Sequence, residues 1–176
     1  MSKYPRIAKD HHLCEFLAGA MAQGVDGNGD ASQIEALLET EIGVMHDEHH
    51  AAVAALTRTA DALPGFGIVA AVLGIVVTMG AISGPVEVIG EKVGAALVGT
   101  FLGILASYGI IGPIAGRMEA QGDAETAMLR TISKAFVGFI GGGSARVVLE
   151  STRRGIASDR RPTVKDMEEI FKAPGS

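Results

Sequence analysis

The sequence predicts an all-α membrane protein, a two-span transmembrane helical hairpin with cytoplasmic amphipathic helices on both sides. Two observations predict this class. The chain of 176 residues is 48% hydrophobic and only 20% charged, with a mean hydropathy of +0.32. Charged residues are also missing from two long runs, Ala62–Val86 and Val93–Gly116, of 25 and 24 residues. A soluble helix of this length would show a polar stripe with a period of about 3.6 residues, and neither run does.

Each charge-free run is long enough to cross a bilayer. As a helix it would measure roughly 36 Å, against a hydrocarbon core of about 30 Å. A chain of this size has too little sequence to surround two such helices in a soluble core. We therefore expect spans at about 63–84 and 93–115, joined by a connection around Pro85–Lys92. Pro64 is expected in the first turn of the first span, where its missing N–H would be unpaired anyway.

The positive charges predict the orientation of the hairpin. Four Lys or Arg residues precede the first run, one lies in the connection and ten follow Gly116. The positive-inside rule then places both termini in the cytoplasm and the protein in the cytoplasmic (inner) membrane. The N-terminus has no apolar segment typical of a signal peptide. The chain thus divides into a cytoplasmic helical segment 1–61, a hairpin 62–116 and a cytoplasmic extension 117–176.

The cytoplasmic segments show helical periodicity. One helix is predicted around 12–23 and a longer one from Ser32, where Ser32 and Glu35 fit a capping box. Its apolar face is formed by Ile34, Leu37, Leu38, Ile42 and Met45. Past Gly116 an amphipathic helix is expected up to the glycines at 141–143, which predict a break. Further helices are expected at 145–156 and 164–171.

Several classes of function are not favoured. The net charge of −5 argues against nucleic acid as a partner. Cys14 is the single cysteine, and no catalytic constellation is legible, so we expect neither a disulfide nor an enzyme. The loop Asp26–Asp30 opens like a calcium loop, but the positions that need Gly and Glu hold Ala31 and Leu37, so a surface turn is favoured. The cluster His46–His50 matches no zinc motif, so a solvated polar face is favoured there. No metal and no cofactor are expected.

The hairpin carries more information than its flanks. Small residues recur every three or four positions, including Gly67, Gly74, Gly99 and Gly103, which is typical of closely packed membrane helices. Neither run contains Asp or Glu, so an ion path would need a carboxylate from a partner. The hairpin could contribute the hydroxyls of Thr78, Thr100, Ser107 and Tyr108. A bond from each Ser or Thr hydroxyl to its own helix is the alternative.

Long strings of the sequence resemble the MotA family of flagellar motor stator subunits. The strings that match its third and fourth transmembrane helices are Leu63–Val76 and Val98–Ala115. The strings that match its cytoplasmic parts are Tyr4–Ile7, Ile34–Ile42, Ala145–Gly155 and Arg161–Glu169. The ExbB and TolQ proteins share the hairpin, but PGFGIVAAV and GTFLGIL favour MotA.

The resemblance implies a mechanism. MotA subunits form a ring, a homopentamer in the family, around MotB, whose single helix carries the ion-binding aspartate. Ion passage moves the ring and turns the flagellar rotor. Thr100 matches a threonine lining the ion path, Thr78 is a further hydroxyl available to it, and Ala71 stands where sodium-driven relatives have threonine, which favours protons. Pro64 and Pro113 match prolines of conformational coupling.

The resemblance begins after the family's first two transmembrane helices. We therefore expect the chain to be the C-terminal portion of a stator subunit, with the family's rotor-contacting segment outside it. Two alternatives stay open. One is an ExbB/TolQ-like proton-channel energy transducer, and the other is a non-conducting structural remnant of a stator subunit.

Overall fold

A computed structural model describes residues 11–25 and 30–172 and shows helices joined by short turns. The described elements are α1 (His11–Val25), α2 (Ala31–Met79), α3 (Val86–Ile104), a π-helical segment (Leu105–Ile111), α4 (Gly112–Ile140), α5 (Ala145–Gly155) and α6 (Val164–Lys172). From Val86 to Ile140 the chain is helical without a break. The all-α prediction is confirmed. The strings at Tyr4–Ile7 and most of the loop Asp26–Asp30 lie outside the described residues.

Helix α2 begins one residue earlier than the sequence predicts. The Asp30 carbonyl accepts the N–H groups of Gln33 and Ile34, and Ser32 Oγ donates to Asp30 Oδ2 over 2.8 Å. Ser32 therefore lies inside the first turn, and the capping box predicted at Ser32 and Glu35 is wrong. Aspartate is as favourable as serine at the N-cap position of a helix. Asp30 precedes Ser32 in the chain, so the helix begins directly after Asp30.

Pro64 lies deep inside α2 rather than in the first turn of a separate span. The expected start of a helix at Pro64 is wrong because the residues before Pro64 favour helix. The stretch 51–62, AAVAALTRTADA, is rich in alanine and has no Gly or Pro. A single proline removes one backbone hydrogen bond and bends a helix, and it does not end one that is well formed on both sides.

The chain reverses at residues 80–85, earlier than the predicted connection around Pro85–Lys92. The Gly84 N–H donates to the Ala81 carbonyl over 2.9 Å, and Pro85 has the extended backbone that precedes a helix (φ −61°, ψ 143°). Glu87, Glu91 and Lys92 consequently belong to α3. Gly80, Gly84 and Pro85 are the strongest helix breakers here, and they outweigh the polarity of the residues that follow.

The described residues form two compact units, Asp47–Asp123 and the remainder on either side of it. The remainder has an apolar core supplied by α1, the start of α2 and the end of α4. Its most buried side chains are Leu13, Phe16, Ala20, Ile34, Leu38, Ile42 and Leu129. Met45 packs against this core, whereas Leu37 is 56% exposed, contrary to prediction. Residue 37 lies three positions after Ile34 and one before Leu38, at the edge of the apolar face.

Glycines end α4 as the sequence predicts. Gly142 has φ of +77°, its N–H donates to the Phe139 carbonyl, and the Gly143 N–H donates to the Gly138 carbonyl. These are the two bonds of a Schellman motif, which requires a left-handed residue at this position.

Helices α5 and α6 follow this stop, and their buried side chains are Val148 and Met167 respectively. The guanidinium of Arg146 lies 5.5 Å from the ring centre of Phe171, a cation–π contact.

Candidate functional site

The hairpin of α2 and α3 is held together at its small residues. A methyl group on Gly103 would lie 2.7 Å from the Leu63 carbonyl oxygen and 3.0 Å from the Gly67 Cα. A methyl group on Gly99 would lie 3.0 Å from the Ala70 Cβ, and Gly74 packs directly on Ala96. Such close backbone approach allows strong van der Waals contact in lipid, where no hydrophobic effect drives helices together.

Thr100 bridges the two helices of the hairpin. Its hydroxyl donates to the Gly67 carbonyl over 3.2 Å, and the side chain is half-buried. Thr78 behaves differently, because its buried hydroxyl donates to the Gly74 carbonyl of its own helix over 2.7 Å. Thr78 lies about three turns, or roughly 16 Å, along α2 from Gly67. The structure thus brings Thr100 and Gly67 together and places Thr78 far from both. Ala71 is half-buried and lies one turn from Gly67.

The two predicted coupling prolines occupy different settings. Pro64 adjoins Leu63, whose carbonyl faces Gly103 across the hairpin. Pro113 is the second residue of α4, and the N–H of Gly112 before it donates to the Ser107 carbonyl, five residues back. A π-helical turn inside an α-helix is rare and often accompanies function.

Ser107 is a polar residue that sequence reasoning underrated. It is 1% exposed, and its Oγ has no hydrogen-bond partner among the described residues. The expected alternative, a bond to its own helix, is therefore not formed. A serine in an apolar run was the only signal in the sequence, and that signal does not reveal the π-helical geometry around it.

Most of the hairpin surface is apolar and uncovered within the chain. In each of the two long helical stretches, only 11% of the most apolar 18-residue window is buried. Core helices of a soluble protein would be mostly buried. Contiguous exposed apolar surface of this kind requires lipid or other subunits to cover it. The two helices are thus long and apolar enough to span a membrane.

Two histidines of the predicted polar cluster make contacts between helices. His49 Nε2 lies 2.8 Å from the Met118 carbonyl oxygen, so this nitrogen carries the proton, and the ring packs over Gly122. His46 Nδ1 lies 3.5 Å from Thr126 Oγ1. Among the described residues, no group of three His, Cys, Asp or Glu side chains could hold a metal ion.

Charged groups in α5 and α6 are arranged to hold that segment together. Hydrogen bonds from Arg153 and then Arg154 lower the pKa of Glu150 from 4.5 to about 2. Arg153 also donates to the Pro162 carbonyl, which joins α5 to the chain before α6. At the start of α6, the Thr163 N–H donates to Asp166 Oδ2 over 2.7 Å and the Asp166 N–H donates to Thr163 Oγ1 over 3.2 Å. The bond from the Thr163 N–H lowers the pKa of Asp166.

Comparison with known proteins agrees with this architecture. The model of the MotA/TolQ/ExbB proton channel family matches residues 8–137. The match covers well over half of the chain, so the chain belongs to this family. The resemblance predicted from the sequence is thereby confirmed.

Individual relatives are similar over nearly the whole chain. The chemotaxis protein LafT of Vibrio parahaemolyticus is 35% identical over 166 residues, covering 94% of this chain and 58% of the relative. Motility protein A of Salmonella typhimurium is 32% identical over 172 residues, covering 98% of this chain and 58% of the relative. The chain therefore spans 58% of the length of these curated relatives.

Solved structures show the same fold. The chain matches a C. jejuni MotAB structure with a TM-score of 0.79 at 20% identity, over 93% of this chain and 63% of that one. It matches the flagellar MotAB stator complex of Bacillus subtilis with a TM-score of 0.74 at 22% identity, over 88% of this chain and 58% of that one.

Proposed function

We propose that this chain is a component of a flagellar motor stator that conducts protons together with a MotB-type single-span partner. Family membership and the motility relatives support the class of activity. The partner is supported by the matched MotAB structures. The chain acts in the cytoplasmic membrane with both termini in the cytoplasm, and it is not an enzyme.

One observation carries the proposal. The hairpin is tightly packed at Gly67, Gly74, Gly99 and Gly103, yet it presents apolar surface outward and has no Asp or Glu in either charge-free run. An ion crossing a bilayer normally needs a carboxylate on its path. The partner helix supplies this carboxylate, and Thr100 lies beside the path with a hydroxyl that donates to the Gly67 carbonyl and can still accept.

The exposed apolar surface also favours assembly. A homo-oligomeric ring, five copies by family resemblance, covers part of this surface with further hairpins, and lipid covers the rest. Pro64 and Pro113 act in conformational coupling, and Ala71 favours protons over sodium. The chain spans 58% of the length of its curated relatives, so the test supplies the remainder of a MotA subunit, to which contact with the rotor is assigned.

The test is rescue of swimming in a strain that lacks its MotA protein. The chain is coexpressed with a MotB-type partner and with the first half of a MotA subunit as a separate polypeptide. We expect swimming and proton influx. Thr100→Val should reduce proton influx and Thr100→Ser should retain it, because serine keeps the hydroxyl. Thr59→Val is the matched control, since the Thr59 hydroxyl is exposed and bonded to its own helix.

Two results would contradict the proposal. The first is no swimming although all three polypeptides reach the membrane, which would favour the non-conducting remnant. The second is rescue of a strain that lacks ExbB or TolQ without rescue of swimming. The family model also includes these proteins, so this arm tests the energy transducer directly.

A further inference from the structure

We propose that Ser107 and the backbone carbonyl of Ala60 hold one buried water molecule between α2 and the π-helical segment. The site would lie at the level of Pro64. It rests on the packing of the hairpin and does not depend on the function proposed above.

The first half of the site is the Ser107 hydroxyl. This group is 1% exposed and has no partner among the described residues. Leaving a hydroxyl unpaired in an apolar environment costs about 1–3 kcal/mol, so nearly all buried polar groups find a partner or an ordered water. Because the hairpin itself buries Ser107, a neighbouring subunit or lipid cannot reach it. A partner must be small enough to sit inside the hairpin.

The second half is a carbonyl group that Pro64 deprives of its donor. In an α-helix the N–H of residue 64 would donate to the carbonyl of residue 60, and proline has no N–H. Ala60 is itself 5% exposed, so bulk water does not cover it. Proline within membrane helices is tolerated where side chains or ordered waters satisfy the freed carbonyl.

The register of the hairpin brings these two groups to the same level. Along the contacts, Gly74 meets Ala96, Ala70 meets Gly99, and Gly67 meets Gly103, so each step of about one turn along α3 is matched by one turn back along α2. The Leu63 carbonyl oxygen also reaches Gly103, because a helix carbonyl points about one turn toward the C-terminus from its own residue.

One turn beyond Gly103 is Ser107, and one turn before Leu63 is Ala60. Both are small and buried. A water molecule here would accept from or donate to Ser107 Oγ and donate to the Ala60 carbonyl, which gives it the two partners that a buried water needs.

The proposal predicts the sign of a substitution. Removing a hydroxyl that has no partner would stabilise the protein, because an unsatisfied group disappears. Removing a hydroxyl that anchors the water leaves the Ala60 carbonyl unsatisfied and destabilises it. We therefore expect Ser107→Ala to lower the folding equilibrium constant about 3- to 15-fold, the range for hydrogen bonds between membrane helices.

A double-mutant cycle with Pro64→Ala is the decisive experiment. The full chain is purified in detergent micelles, and its folding equilibrium is measured by titration with a denaturing detergent. Alanine at 64 restores the N–H that pairs with Ala60. In that background Ser107→Ala should leave the folding constant unchanged or raise it. Thr78→Val is the matched control, because its buried hydroxyl bonds to its own helix and should cost the same in both backgrounds.

Two outcomes of the cycle would overturn the proposal. One is a gain in stability for Ser107→Ala in the native background, and the other is an equal loss in both backgrounds. If a variant is not recovered in a folded form, a structure of the native chain at a resolution that shows water decides. Density within hydrogen-bonding distance of Ser107 Oγ and the Ala60 oxygen supports the site, and an empty or absent gap there overturns it.

Discussion

At the scale of single residues, glycines set how closely α2 and α3 can approach. We predict that Gly103→Ala destabilises the chain by about 1–3 kcal/mol, the usual cost of overpacking. The added methyl group would press on the Leu63 carbonyl oxygen and the Gly67 backbone, which cannot turn aside as a flexible side chain would.

The measurement is detergent-induced unfolding of the purified chain. Gly94→Ala is the control, since a methyl group there meets nothing within 4 Å. Equal behaviour of the two variants would show that the hairpin does not depend on contact at Gly103.

Glu150 gives a pH dependence at the residue scale. Arg153 and Arg154 lower its pKa from 4.5 to about 2 in the folded chain. A lowered carboxylate pKa stabilises the fold above the unfolded value and loses that contribution as the pH falls through the folded value. We predict that the advantage of the native chain over Glu150→Gln is full above about pH 5 and is lost between pH 4.5 and pH 2.

Thermal unfolding of both proteins across this pH range measures the difference. Asp159→Asn serves as the control, because the Asp159 and Arg160 side chains are both 73% exposed at a separation of 3.8 Å. Such exposed pairs contribute little. A difference between native and Glu150→Gln that is constant from pH 7 to pH 2 would contradict the assignment.

At the scale of elements, the end of α4 depends on one backbone conformation. Gly142 has φ of +77°, where an L side chain costs roughly 1–2 kcal/mol. We predict that Gly142→Ala lowers stability by about 1 kcal/mol, seen as a lower thermal midpoint. Gly155→Ala should not, since Gly155 lies at the end of α5 with open space around it. An equal loss of stability in both variants would contradict the prediction, because it would be an effect of replacing glycine by alanine at any position and not of the positive φ at Gly142.

The periodicity of apolar residues predicts most of these elements. Helices at 145–155 and 164–172 fall within a residue of expectation, because Gly141–Gly143 and Pro162 separate them clearly. Charge patterning is a poorer guide to helix ends. Glu87 and Lys92 were expected in a connection, yet they lie in α3, since a helix can leave the bilayer and continue in water. Pro64 misled because a proline inside a helix that is well formed on both sides bends it without ending it.

The candidate site is only partly legible in the sequence. Small residues at helical spacing identify the packed face correctly, because spacing alone decides which of them share a face. Hydrogen-bond partners depend on register between two helices, and a sequence does not specify it. Thr100 and Thr78 therefore look alike in the sequence, but one bridges the hairpin and the other bonds to its own helix. The burial of the Ser107 hydroxyl without a partner among the described residues was recognised only in the structure, where Ser107 lies in the π-helical segment.

At the scale of the whole molecule, the distribution of Lys and Arg predicts how the hairpin is oriented in the membrane. One Lys lies between the two runs and ten Lys or Arg follow the second, so the loop at 80–85 should face outward and the C-terminal helices inward. Cys14 is the only cysteine, so a Cys14→Ser chain can carry single reporter cysteines. Ser83 and Ser158 are both exposed and suit this purpose.

We predict that Ser83→Cys reacts with a membrane-impermeant maleimide added to intact spheroplasts, whereas Ser158→Cys reacts only after the membrane is opened. Both sites should react equally in detergent, which controls for intrinsic reactivity. The reverse pattern would invert the topology and place α5 and α6 outside, against the charge asymmetry. Reaction of both sites in intact spheroplasts would mean that the hairpin does not span. It would then remove the physical basis for ion conduction, because an ion path requires α2 and α3 to cross the full bilayer.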